Sequence, residues 1–269
     1  MIDAYHIYLN GSEVMLRRQT GWGRWYRVED ITRWQWDAGT PASLNFDAIE
    51  LRKRRYATLA VHVGSALGKF MIFQLPPGLQ GEQEERAAAE AQMQYQLGLN
   101  PGQWEFTLDH LPARGKVVAC ALRADIVARL RQVAREHGLR LLSVRPYVAG
   151  VWNAMQLRCG PATLNDGRAM MMVERDAFTI VIEKEGKMDA MSAMTHRREA
   201  EVINREIRRM AYSLGEDAQR HAYLMVAGEL LPLAQLHVDK VVRHENLLQP
   251  ILYADFRDLL FHPPAQGIP

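Results

Sequence analysis

The stretch Arg168-Ala-Met-Met-Met-Val173, the turn Glu174-Arg-Asp-Ala177, then Phe178-Thr-Ile-Val-Ile-Glu183, Glu185-Gly186 and Lys187-Met-Asp-Ala-Met-Ser-Ala193 decide the fold. Three short apolar runs divided by polar turn residues read as a three-stranded meander. A helix is expected over about Arg197–Leu214, where Ala200, Ile203, Ile207, Met210, Ala211 and Leu214 recur at helical spacing and Gly215 follows. Strand His221–Ala227 and a short segment Glu229–Leu236 come next. The order is β-β-β-α-β-α.

Upstream, Cys159-Gly-Pro-Ala-Thr-Leu-Asn-Asp-Gly167 reads as a linker. Before it the same order recurs with an interruption. Tyr5–Leu9 and Val14–Arg18 flank Asn10-Gly11, a strong hairpin signal because both residues tolerate positive φ. Trp25–Val28 is a third extended piece, followed by a polar stretch with Pro41 and the basic run Arg52–Arg55. Strands are expected at Ala57–Val63 and Phe70–Leu75, a helix at Glu82–Leu97, and strands at Trp104–Asp109 and Lys116–Leu122. A helix then runs over Ala124–His137, with Ile126, Val127, Leu130, Val133 and Ala134 on one stripe. Leu139–Val144 reads as a strand, and Pro146 as the first residue of a helix reaching about Met155. The chain is thus expected to be α/β, a duplicated ribonuclease H-like (actin-like ATPase) fold. Residues 1–160 would form the first lobe, with inserted strands and a helix, and residues 161–269 the second. In that architecture nucleotide sits between the lobes on backbone amides of the hairpin turns.

Composition narrows the classes. The 269 residues carry 33 Lys+Arg against 31 Asp+Glu, with 48% hydrophobic and 24% charged residues, a globular balance. The near-neutral total divides unevenly: 20 basic against 15 acidic side chains in residues 1–160, and 13 against 16 in 161–269. The basic half is expected to face a membrane or partner. No apolar run approaches the ~18 residues of a membrane span. The start lacks a basic region followed by an apolar one, so no signal peptide is expected. Cys120 and Cys159 are the only cysteines and make no disulfide framework, which suits a reducing cytoplasm.

One ordered series carries a family resemblance. Phe73-Gln-Leu-Pro-Pro77 ends a strand pair, an acid-rich helix begins Glu82-Gln-Glu-Glu-Arg86, and the aromatic strand Trp104-Glu-Phe106 follows. Then come Val117-Val-Ala-Cys-Ala-Leu122, a helix, Gly138-Leu-Arg-Leu-Leu-Ser-Val144, Pro146 and another helix. Residues from about Thr58 to Met155 thereby resemble the middle of PilM-like proteins, the cytoplasmic actin-like components of type IV pilus assembly. The cytoplasmic domain of the secretion protein GspL and the MshI-type proteins share the plan. Outside this third of the chain the resemblance rests on element order. Chains of this family carry an Asp-x-Gly-Ser turn between the first two strands. Here the turn is Leu9-Asn10-Gly11-Ser12, which keeps Gly11 and Ser12 and replaces the metal-positioning Asp by Leu9. A second Asp-x-Gly turn is replaced by Glu174-Arg175-Asp176-Ala177, without the glycine that lets backbone approach phosphate. A Gly-Gly turn on the adenosine side survives only as Ala227-Gly228-Glu229. Gly11, Ser12 and Gly228 are the remnant cofactor positions; ATP binding is expected to be weak or absent, with no cofactor and no catalytic residue.

Four of six tryptophans, Trp22, Trp25, Trp34 and Trp36, fall within fifteen residues and interleave with Arg24, Arg27 and Arg33. Rings and arginines in this pattern stack bases, anchor a partner peptide, or simply cover a sheet. The resemblance implies a peptide groove in the first lobe; composition offers Trp22, Trp25, Arg27, Trp34, Phe70 and Phe73 as its candidate lining. His237 and His244 lack the i, i+4 spacing of a helical metal pair, and no metal is expected. No P-loop, no Gly-x-Ser-x-Gly and no dinucleotide fingerprint occurs. His62 and Cys120 lie in apolar strands and read as packing.

The expectation is therefore a non-catalytic scaffold of a type IV pilus-like or type II secretion platform, peripheral to the cytoplasmic face of the inner membrane. It would bind the cytoplasmic tail of a bitopic inner-membrane protein and no nucleic acid. An ATP-binding switch of the same machinery and a single-stranded nucleic-acid binder are the alternatives.

Overall fold

A computed structural model describes residues 2–22, 25–28, 32–46, 57–111, 115–159, 168–184, 187–195, 201–202, 205–206, 209 and 222–226. The N-terminal sheet is built from β1 (Ile2–Leu9), β2 (Glu13–Trp22), β3 (Trp25–Val28), β4 (Thr32–Gln35), β5 (Thr58–Val63) and β9 (Arg140–Pro146). Its order is β3-β2-β1-β5-β9, with β4 also paired to β2. β1 and β2 are antiparallel, whereas β5 lies parallel to β1 and β9 parallel to β5. The C-terminal sheet contains β10 (Arg168–Val173), β11 (Ala177–Lys184), β12 (Lys187–Thr195) and β13 (Ala222–Val226), in the order β12-β11-β10-β13. Here too the meander is antiparallel and the later strand, β13, runs parallel to the first. Both sheets thus repeat one plan: a meander, then a crossover that returns beside its first strand.

Alternation explains the N-terminal sheet. Tyr5, Ile7 and Leu9 on β1 share a face with Leu59, Val61 and Val63 on β5. The same apolar cluster takes in α2 (Ala124–Glu136), which buries Ile126, Val127, Leu130, Val133 and Ala134. Each of these side chains larger than alanine contributes about 1.5–3 kcal/mol by leaving water. α3 (Tyr147–Cys159) adds Tyr147, Val148, Val151 and Trp152 to the same cluster, and Met170, Met172 and Val181 join it from the C-terminal sheet. The two sheets therefore share one apolar core.

Between β5 and α2 the chain inserts β6 (Gly68–Gln74), α1 (Glu82–Leu97), β7 (Trp104–His110) and β8 (Lys116–Arg123). The three strands form a separate antiparallel sheet, β6-β8-β7. Three acidic residues lie in the first turn of α1, where the helix dipole favours them. Gly98 closes it in the left-handed region at φ 62°, a conformation glycine adopts without steric cost. Met93 and Ala89 on α1 pack on Phe106, Val117, Ala119 and Ala121.

Three expectations are corrected. Thr32–Gln35 forms β4, because the ten-residue β2 pairs β3 along residues 19–22 and β4 along residues 13–16. Pro146 ends β9, pairing in register with Val63, and the helix starts at Tyr147. Residues 41–43 form a short 3-10 turn. Of the helix expected over Arg197–Leu214, residues 201–202, 205–206 and 209 are helical. The 160–167 part of the linker, Arg52–Arg55, the Glu185-Gly186 turn, Gly228 and the segment Glu229–Leu236 lie outside the described residues.

Candidate functional site

Three turns meet where the two large sheets face each other: residues 10–12 between β1 and β2, residues 64–67 between β5 and β6, and residues 174–176 between β10 and β11. The first is shaped by Asn10. Its buried side-chain Oδ1 accepts from the amides of Ser12 at 3.0 Å and Glu13 at 2.7 Å, and the Trp36 indole donates to its carbonyl at 2.7 Å. The ladder closes with the Asn10 amide donating to the Glu13 carbonyl at 3.1 Å. The Gly11 amide points out of the turn, toward the C-terminal sheet.

That amide donates to Asp176 Oδ2 at 2.7 Å. The second turn does the same. Gly64 donates to the Leu9 carbonyl at 2.7 Å, and the Ser65 amide donates to Glu174 Oε2 at 2.8 Å. The other oxygen, Glu174 Oε1, accepts from the Tyr8 hydroxyl at 2.5 Å. Thr179 on β11 donates its hydroxyl to Ser65 Oγ at 2.5 Å. Arg175 completes the set with an ion pair to Glu13 at 3.7 Å. All three residues of the C-terminal turn therefore engage the N-terminal sheet.

The approach is close enough to require glycine. A Cβ at Gly11 would collide with Asp176 Oδ2, and one at Gly64 would sit 2.6 Å from Glu174 Oε1. Glu174 is 0% exposed. Burial pushes its carboxyl up to about 7, and nearby Asp176 adds to this, while the bonds from Ser65 and Tyr8 pull the other way. Burial, then the Glu174 charge, raises the Tyr8 hydroxyl well above its ordinary value. A second link between sheets lies farther out, where Lys116 of β8 bonds Asp189 of β12 at 2.9 Å. That bond leads the causes that lower the Asp189 carboxyl.

The predicted site residues scatter. Gly11 is in the cleft with its amide spent on Asp176, and the Ser12 amide is spent within its own turn. Trp22 and Trp25 are cross-strand partners at the β2–β3 end, and Arg27 pairs in register with Thr20. Trp34 is half-buried and stands edge-on to Phe46, with ring centroids 5.5 Å apart. Trp36 is a core residue that braces the first turn. Phe70 is buried in the main core, paired across β6 and β8 with Cys120. Phe73 packs partly buried on the α1 cluster. Cys120 is buried, which pushes its thiol up to about 12 and leaves it unreactive. Sequence reasoning missed Glu174, Asp176, Tyr8, Ser65 and Thr179 as a cluster. Its one signal was two acids in the turn where a phosphate site needs glycine.

Among the described residues there is no cluster of His, Cys, Asp and Glu that could hold a metal, and no helix is long and apolar enough to cross a membrane. No family model matches the chain, and no curated protein matches its sequence. Solved structures do match its fold. A Bacteroides thetaiotaomicron protein of unknown function with an actin-like ATPase fold superposes with a TM-score of 0.63 at 13% identity, over 88% of this chain and 86% of that one. The PilM–PilN type IV pilus biogenesis complex gives 0.55 at 15% identity, over 83% and 81%. The cytoplasmic domain of EpsL, an inner-membrane component of the Vibrio cholerae type II secretion system, gives 0.54 at 10% identity, over 86% and 84%. The repeated meander-and-crossover sheets and these likenesses together give the chain the actin-like fold, in the form also found in components of pilus and type II secretion machinery.

Proposed function

We propose that the chain is a non-catalytic assembly component of a type IV pilus-like or type II secretion platform, held at the cytoplasmic face of the inner membrane. The observation that carries this reading is the occupied cleft: the Gly11 and Ser65 amides, which would face a nucleotide phosphate, are bonded to Asp176 and Glu174. A scaffold that needs a fixed relation between its sheets gains it here without ligand. The fold it shares with EpsL and with PilM, a protein that forms a complex with PilN, favours a tail of a bitopic membrane protein as partner. The β2–β3 end, where Trp22 and Trp25 pair, is the proposed docking place.

Titration of the full chain with peptides of platform-protein tails tests the reading. Saturable binding that is indifferent to Mg-ATP supports it. Folded protein that binds no tail overturns it. A rise in melting temperature with Mg-ATP would favour the switch instead, since a ligand at 100 times its Kd adds about 2.7 kcal/mol.

A further inference from the structure

Two backbone amides from separate turns, Gly11 and Ser65, converge on the C-terminal hairpin, with the Ser65 hydroxyl and the Tyr8 hydroxyl beside them. Converging amides at turns form concavities that bind oxyanions, and glycine at the approach lets the anion come within hydrogen-bond distance. Gly11 and Gly64 are the residues whose added Cβ would strike the carboxylate oxygens. The first sheet therefore has the chemistry of a small-oxyanion cradle. Its occupants are covalently part of the chain.

We propose that Asp176 and Glu174 are built-in ligands of a phosphate-type cradle, and that withdrawing their carboxylates converts the cleft into a binding site for inorganic phosphate. Both side chains supply the acceptor oxygens that a phosphate would offer the same donors, and Asp176 supplies the negative charge. Held on a short hairpin braced by the Glu174 amide to the Ala177 carbonyl at 2.8 Å, they act at high effective concentration. A free anion cannot displace them, so the intact chain stays closed and insensitive to phosphate. Thr179 and Ser65 extend the same arrangement, the Thr179 hydroxyl donating to Ser65, whose own hydroxyl bonds Glu174. This inference rests on reading the cleft as closed without nucleotide and is independent of which tail the protein binds.

The test uses the full chain carrying Glu174→Ala with Asp176→Ala, melted in rising inorganic phosphate against chloride of matched ionic strength. The expected result is a lower melting temperature in chloride that phosphate restores saturably, while the parent chain shows no phosphate response. A calorimetric titration should show one phosphate site in the variant and none in the parent. Should the double variant fail to fold, Asp176→Ala alone, at a half-buried position, takes its place in the same assay. Adding Gly11→Val to either variant should abolish the response, because the new side chain fills the place of the anion. The proposal is overturned if phosphate does no more than chloride for a folded variant, fails to rescue an unfolded one, or stabilises the parent equally. None of these outcomes depends on tail binding, so failure here leaves the partner assay to stand or fall separately.

Discussion

The hairpins Asn10-Gly11-Ser12-Glu13 and Glu174-Arg175-Asp176-Ala177 occupy equivalent places in two sheets of one plan, and each closes with the amide of its first residue on the carbonyl of its fourth. Their chemistry is opposite. The first folds its polar side chain inward, Asn10 capping its own amides, and presents a backbone donor. The second sends its side chains outward and presents carboxylate acceptors. In a cleft that works through a bound anion both turns would offer donors. Here the second turn supplies acceptors to the first sheet's donors.

Removing the acceptor should have the largest effect. Glu174→Ala removes the acceptor of the buried Tyr8 hydroxyl and of the Ser65 amide, and each such hydrogen bond lost costs about 1–3 kcal/mol. A loss of about 3 kcal/mol is expected in urea unfolding, and a loss within experimental error would refute the donor–acceptor complementarity. Substituting the donor side, Gly64→Ala, places a Cβ 2.6 Å from Glu174 Oε1 and 3.2 Å from the Leu9 carbonyl, and should cost about 1–3 kcal/mol.

The comparison also predicts opposite responses to pH. Folded Glu174 keeps its proton up to about 7, whereas an ordinary carboxyl of the unfolded chain loses it near 4.5. Between those values the folded state binds more protons, so the Glu174 contribution is complete below 4.5 and is lost as pH rises through 7. It amounts to at most about 3 kcal/mol. His62, on β5 of the other sheet, behaves inversely. Burial, then the charges of His6 and Arg145, lower it to about 4 from 6.5, so its contribution is lost as pH falls from 6.5 toward 4, by about 1–2 kcal/mol after allowing for solvent. Over 4.5–6.5 the two trends oppose each other, so Glu174→Gln should leave stability rising with pH on the His62 slope, and His62→Gln should leave it falling on the Glu174 slope. Urea midpoints between pH 4 and 8 read both, and a single variant that flattened both slopes would break the assignment.

The sheets were legible because burial imposes a period. Tyr5-Ile7-Leu9 alternate, the α2 stripe repeats at helical spacing, and Asn10-Gly11 and Gly98 mark chain reversals and stops. β4 was not, because its four residues are mostly exposed and show no alternation; β2 recruits them by length alone. The tryptophan cluster left its alternatives open in sequence, because proximity along the chain does not fix a shared surface: Trp36 is a brace in the core and Trp34 leans on Phe46. In the cleft, sequence showed that a glycine was missing from the second turn. It could not show that Glu174 and Asp176 reach Tyr8 and Gly11, partners 166 and 165 residues away. Such contacts depend on how two sheets are docked, and no local periodicity encodes that.

The smallest effect is expected at the outer link. Lys116 and Asp189 join the inserted sheet to β12 at 2.9 Å, with Lys184 3.5 Å away on the same carboxylate, and all three are partly exposed. Solvent and side-chain entropy leave such pairs about 0.2–1 kcal/mol. Asp189→Asn should therefore cost under about 1 kcal/mol, less still in high salt, because screening weakens exposed pairs while the buried cleft bonds are little affected. Salt then separates the two links to the C-terminal sheet. If Asp189→Asn cost as much as Glu174→Ala at every salt concentration, closure would rest on the surface pair, and the contrast between donor and acceptor hairpins would lose its energetic meaning.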